Sequence, residues 1–146
     1  MNAMAMRLCS VCCVLFLLAF TACNNDNNEP GEEALQRKKL VGTWTVGETG
    51  SVKRDDVTLS GWDTFELTMG EQTYQTSNAS AAVWPAQGTW KLVTGDVSKV
   101  ERDDDVILTV NVSGETLQIS FQYGDDAANG RAASIAGSYV FNLIKN

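Results

Sequence analysis

The sequence predicts an all-β protein, an antiparallel up-and-down meander that closes into a barrel. Three observations predict it. From Leu40 onward apolar and polar residues alternate with period two, the mark of strands with one buried face. Short turn dipeptides (Gly70-Glu71, Gly95-Asp96 and Ser113-Gly114) separate the runs and can close hairpins. No long helical pattern intervenes, which excludes parallel βαβ units. The expectation is roughly seven to nine strands. A β-sandwich is the alternative. An immunoglobulin type suits the length but lacks its Cys…Trp…Cys signature, and short hairpins close more naturally into a barrel.

In chain order, residues 1–22 read as an export signal. Arg7 supplies its positive charge, and Val11 to Phe20 is an unbroken apolar run of 10 residues. That is signal length, against the ~20 residues a membrane-spanning helix needs. Leu18-Ala19-Phe20-Thr21-Ala22-Cys23 resembles the lipobox of a bacterial lipoprotein leader, with Phe20 where Leu is usual. The resemblance implies cleavage before Cys23, acyl chains (palmitate among them) on that residue, and a place in the cell envelope. The outer membrane is the expected site, with its face left open. An ordinary cleaved signal is the other reading. Of the 4 cysteines, Cys9, Cys12 and Cys13 leave with the leader, so the remaining chain can form no internal disulfide and no thiolate metal site. Two or more acyl chains on Cys23 would anchor it firmly, where one is marginal.

Residues 23–33 are polar, acidic and interrupted by Pro30-Gly31, and are expected to form a tether. Ten such residues reach ~33 Å at most. The β-domain then occupies 34–146. It opens with one or two helical turns over 33–39, acids first and Arg37, Lys38 and Lys39 last, as the helix dipole favours. Three adjacent bases suit an anionic lipid surface; a solvated helix end is the plainer reading. Strands follow. Leu40, Gly42, Trp44 and Val46 share a face, as do Phe65, Leu67 and Met69. Gly88, Trp90 and Leu92 repeat the pattern, and so do Leu117, Ile119, Phe121 and Tyr123, then Tyr139, Phe141 and Leu143. Val106 to Val112 is apolar on both sides, and 124–137 is a small-residue loop before the last strand.

Gly-Thr-Trp occurs twice, at 42–44 and 88–90. In each copy glycine and indole point the same way, so the glycine leaves room for the ring or for a neighbouring backbone. Gly42, Trp44, Gly88 and Trp90 are thus expected to be structural. Leu40-Val41-Gly42-Thr43-Trp44 after a short helix resembles the opening of lipocalin-like domains. The later order, including Gly88 to Leu92, is similar to bacterial lipocalin-like lipoproteins over about residues 38–146. That resemblance implies a lipocalin-like barrel and a small apolar or amphiphilic ligand inside it. In lipocalins proper an Arg on the last strand covers the Trp. Here Arg131 falls in the predicted loop, and Lys145 offers a substitute.

Trp62 and Trp84 sit where the alternation pauses. With Tyr74 they are the candidate ligand-binding residues, lining the mouth of a cavity; capping of the core is the other reading. Chemistry is harder to find. The chain has no histidine, which removes the usual general base and the commonest metal ligand. Glu101-Arg102-Asp103-Asp104-Asp105 lacks the spacing and glycine of a calcium loop and reads as a charged turn. The chain has 11 basic and 18 acidic residues, and losing Arg7 with the leader leaves a charge of −8, which repels nucleic acid. No catalytic residue, metal or cofactor is expected. The expected function is binding without catalysis. A structural lipoprotein contacting an envelope protein or glycan is the alternative, and enzymatic work through paired carboxylates is a weaker third.

Overall fold

The computed structural model describes residues 30–124 and 134–146. The leader, Cys23, most of the tether, Asp125-Asp126 and Arg131 lie outside the described residues.

Helix α1 (Glu32–Leu40) carries Glu32 and Glu33 in its first turn and Arg37, Lys38 and Lys39 in its last. It ends where Val41 turns extended, and its last residue, Leu40, is buried. Ten strands follow: β1 (Gly42–Thr45), β2 (Ser51–Arg54), β3 (Val57–Thr58), β4 (Glu66–Met69), β5 (Thr73–Ser77), β6 (Gln87–Val93), β7 (Asp96–Arg102), β8 (Ile107–Ser113), β9 (Thr116–Tyr123) and β10 (Gly137–Lys145). All pairings are antiparallel. From β4 to β10 each strand pairs with the next, and β1 pairs with both β4 and β10. The ring therefore closes as an 8-stranded up-and-down barrel of lipocalin-like form. Closure removes the open edges that a sandwich would keep.

The predicted alternation decides what faces inward. Leu67 and Met69 on β4, Trp90 and Leu92 on β6, Leu117, Ile119 and Phe121 on β9, and Tyr139, Phe141 and Leu143 on β10 are all buried. Val106 to Val112 also alternates: Leu108 and Val110 are buried and Ile107 is exposed.

The β2–β3 hairpin was not expected from the sequence. Val52 is the buried residue of β2, and Lys53, Arg54, Asp55 and Asp56 mask the strand pattern with charge. Its two-residue turn uses Asp55 and Asp56, both with positive φ (49° and 65°), where Asn or Gly is usual. β1 and β2 lie along the same edge of β10. Trp44 and Thr45 pair with Lys145 and Ile144, and Ser51 to Arg54 pair with Asn142 back to Tyr139. Between them the chain makes one tight excursion, closed by the Gly50 N–H donating to the Val46 carbonyl at 2.8 Å.

The barrel has two unlike ends. At one, α1 lies beside the β4–β5 turn, where Arg37 donates to the Glu71 carbonyl, and beside the β6–β7 turn. At the other are the β2–β3 turn, the connections 59–65 and 78–86, and the β7–β8 turn.

Candidate functional site

The two Gly-Thr-Trp copies build the helix end. The Trp44 indole N–H donates to the Leu40 carbonyl at 2.8 Å, and that of Trp90 to the Gly70 and Thr73 carbonyls, both at 3.1 Å. Each ring is covered by a cation. Lys145 Nζ lies 5.2 Å from the Trp44 centroid, and the Arg37 guanidinium lies 5.7 Å from that of Trp90. Lys145 thus stands over the indole. A Cβ on Gly42 would meet Lys145 Cε at 2.9 Å, and Gly42 also has a φ of +144°. Gly88 makes room for different groups: a Cβ there would meet the Tyr74 hydroxyl and the Asp103 carboxylate at 2.6 Å. Both indoles are buried, with their N–H groups hydrogen-bonded.

The opposite end is built differently. Connections rather than strands supply Trp62 and Trp84, and both rings drop into the barrel. Trp62 packs on Phe65 and Phe141 at centroid distances of 5.5 and 5.3 Å. Trp84 reaches the middle of the interior, 5.1 Å from Phe141, 5.6 Å from Phe121, 5.9 Å from Phe65 and 6.3 Å from Tyr74. The structure therefore brings Trp84 and Tyr74 together and holds Trp62 in the same aromatic cluster, with all three rings buried in the core rather than lining an open mouth. The large depressions at α1 and across Thr49, Asn111 and Gln118 lie outside the barrel.

Arg102 was hidden in the charged run and emerges as a central residue of this end. Beside inward Val100 on the same strand, period two also turns Arg102 inward, where it is 2 % exposed. Its Nε and Nη2 form a fork on Asp104, at 2.9 and 2.5 Å. Its Nη1 and Nη2 donate to the Val83 carbonyl at 3.4 and 3.3 Å, and its plane lies 4.9 Å from the Trp84 centroid and 5.6 Å from that of Phe121. One buried guanidinium thus ties the Trp84 connection to the β7–β8 turn. That turn is the charged one expected, closed by the Asp105 N–H on the Arg102 carbonyl, with Asp105 at positive φ.

The electrostatics follow from this packing. Partial burial pushes the Asp104 carboxyl up, but the hydrogen bonds and charge of Arg102 outweigh it and hold the group below the ordinary carboxylate range. Burial pushes the Tyr74 hydroxyl up to about 12, opposed by Arg102 and reinforced by Asp103 and Asp104. Although the hydroxyl and the Asp103 carboxylate crowd the same space over Gly88, the hydroxyl makes no well-aligned hydrogen bond. The indole N–H of Trp84 is also buried without a partner. Each such group carries a desolvation penalty of about 1–3 kcal/mol.

Among the described residues no cluster of acids or thiols is placed to hold a metal ion, and no helix is long and apolar enough to cross a membrane. No family model, curated protein or solved structure matches the chain.

Proposed function

We propose that the chain is a lipid-anchored lipoprotein of the cell envelope, held at the outer membrane through Cys23. Its lipocalin-like barrel binds a small apolar or amphiphilic ligand without catalysis. The leader motif supports the anchor, and the absence of histidine supports binding over chemistry. The observation that carries the binding reading is Trp84. The indole at the heart of the barrel comes from a connection, not a strand, and its N–H is unsatisfied. A ligand would take the volume this ring fills, its apolar part against Phe65, Phe121 and Phe141 and its polar part beside Tyr74 and Arg102.

Native mass spectrometry of the protein taken from its own envelope tests this. A bound small molecule of constant mass is expected, released on denaturation. A bare chain that also shows no saturable binding of a fluorescent amphiphile would overturn the ligand. Mass spectrometry of the N-terminus tests the anchor separately. The filled interior favours a second reading, a structural lipoprotein whose outer surface contacts an envelope protein or a glycan; crosslinking in the intact envelope that recovers one constant partner would select it.

A further inference from the structure

We propose that the exposed face of α1 docks on an anionic lipid bilayer, so that the barrel stands with its Trp62 and Trp84 end away from the membrane. The proposal rests on the anchor reading and deepens it. Arg37 and Leu40 are committed to the barrel, Arg37 over Trp90 and Leu40 in the core. The far side of the helix therefore carries Leu35, Lys38 and Lys39, neighbours at helical spacing. Leu35 is 44 % exposed, one of the few large apolar side chains left in solvent among the described residues. Neither lysine has an ion pair with another described residue. Glu32 lies on the same side one turn earlier, at the helix N-terminus that favours it. An apolar side chain flanked by long cations is what a headgroup region accepts, the stems lying in the interface and the ammonium groups on phosphate.

The turns at the α1 end carry fewer acids than those at the other end: Glu71 and Glu115, with Asp96 beside them paired to Lys99. The β2–β3 turn, the 59–65 connection and the β7–β8 turn carry Asp55, Asp56, Asp63, Asp103, Asp104 and Asp105 and no base, so that end is repelled by the surface that attracts the lysines. Residue 23 is 9 positions before α1, which keeps the helix within ~30 Å of the anchoring point. Each lysine at an anionic surface favours contact by about fivefold. With the anchor holding the domain at high local concentration, two lysines suffice to choose the end that faces the bilayer.

The test uses the chain without residues 1–22, whose single thiol, Cys23, is coupled to a maleimide-bearing phospholipid. This supplies the anchor whether or not the cell acylates the residue. The coupled protein is placed in bilayer nanodiscs of phosphatidylcholine with or without phosphatidylglycerol, doped with a gadolinium-chelate lipid, and amide relaxation is read residue by residue. Relaxation of residues 34–39 is expected to rise at least twofold with the anionic lipid while residues 55–56 and 103–105 stay unaffected. Lys38→Glu with Lys39→Glu abolishes the rise, and Leu35→Ser reduces it. Equal relaxation in both lipids, equal relaxation of both ends, or an unchanged rise in the charge-reversed variant would each overturn the proposal. A chain bearing no acyl group in cells would overturn the anchor reading alone.

Discussion

Among the described glycines, Gly50 has the backbone atoms closest to an added Cβ. A Cβ there would lie 2.2 Å from the Val46 carbonyl oxygen and 2.4 Å from that of Asn142, both backbone atoms. Gly50→Ala must push the β1–β2 excursion off β10, and such overpacking costs about 1–3 kcal/mol or more. Thermal unfolding should show Gly50→Ala far below Gly31→Ser, whose site is open and whose φ of −57° any residue can adopt; equal midpoints would refute this. Tyr74 makes the opposite case. Tyr74→Phe deletes an unsatisfied hydroxyl, so stability at neutral pH should be unchanged or higher. The hydroxyl ionises near 10 when unfolded and at about 12 when folded. Its contribution is thus fully present below pH 10 and is lost as pH rises toward 12. Denaturant titrations across that window should show a loss of stability that Tyr74→Phe diminishes. The need for glycine at 42 and 88 was legible in the repeated Gly-Thr-Trp. Its reasons were not, since Lys145 and Asp103 reach those glycines only after the sheet has formed.

The connection 78–86 is held by few bonds. Thr76 Oγ1 donates to the Pro85 carbonyl, Asn78 to the Thr64 carbonyl, and Arg102 to the Val83 carbonyl. Asp104 fixes the arginine. Its carboxyl is held low, so this contribution is present above the unfolded value near 4 and is lost as pH falls through the lower folded value. Asp104→Asn should leave Arg102 buried without its counter-ion. Breaking a fully buried pair costs ~3–5 kcal/mol, and the partial exposure of Asp104 brings that down to about 1–3 kcal/mol. The variant should also flatten the acid limb of the stability profile. An unchanged acid limb would mean that the pair does not hold the connection. Strands with clean alternation, such as β4, β9 and β10, were legible because one face of each is buried. The β2–β3 hairpin was not, because it carries charge where hairpins usually carry Gly or Asn. Arg102 was missed because a charged run hides the inward parity of one of its members.

Closure of β1 on β10 makes the molecule one wall around one interior, and that interior is already occupied. The decisive question for the whole barrel is whether the volume is a site filled by the chain's own indole or simply its core. Trp84→Ala tests the condition the first of these requires, a wall that keeps its shape without the ring. Truncating a buried Trp costs about 3–5 kcal/mol when the surroundings keep their shape. The remaining wall (Phe65, Phe121, Phe141) belongs to or adjoins strands locked into the closed ring, so the lost ring should leave a hole rather than a collapsed core. A dry apolar hole of that kind takes up small apolar solutes. Free indole should therefore raise the unfolding midpoint of Trp84→Ala, the stabilisation reaching about 2.7 kcal/mol at a hundredfold excess over its dissociation constant. It should leave the parent protein unchanged, since there the side chain already sits in place. A variant that loses stability but ignores indole would show that the wall closes behind Trp84. That outcome leaves the barrel a solid scaffold and moves its function to the outer surface.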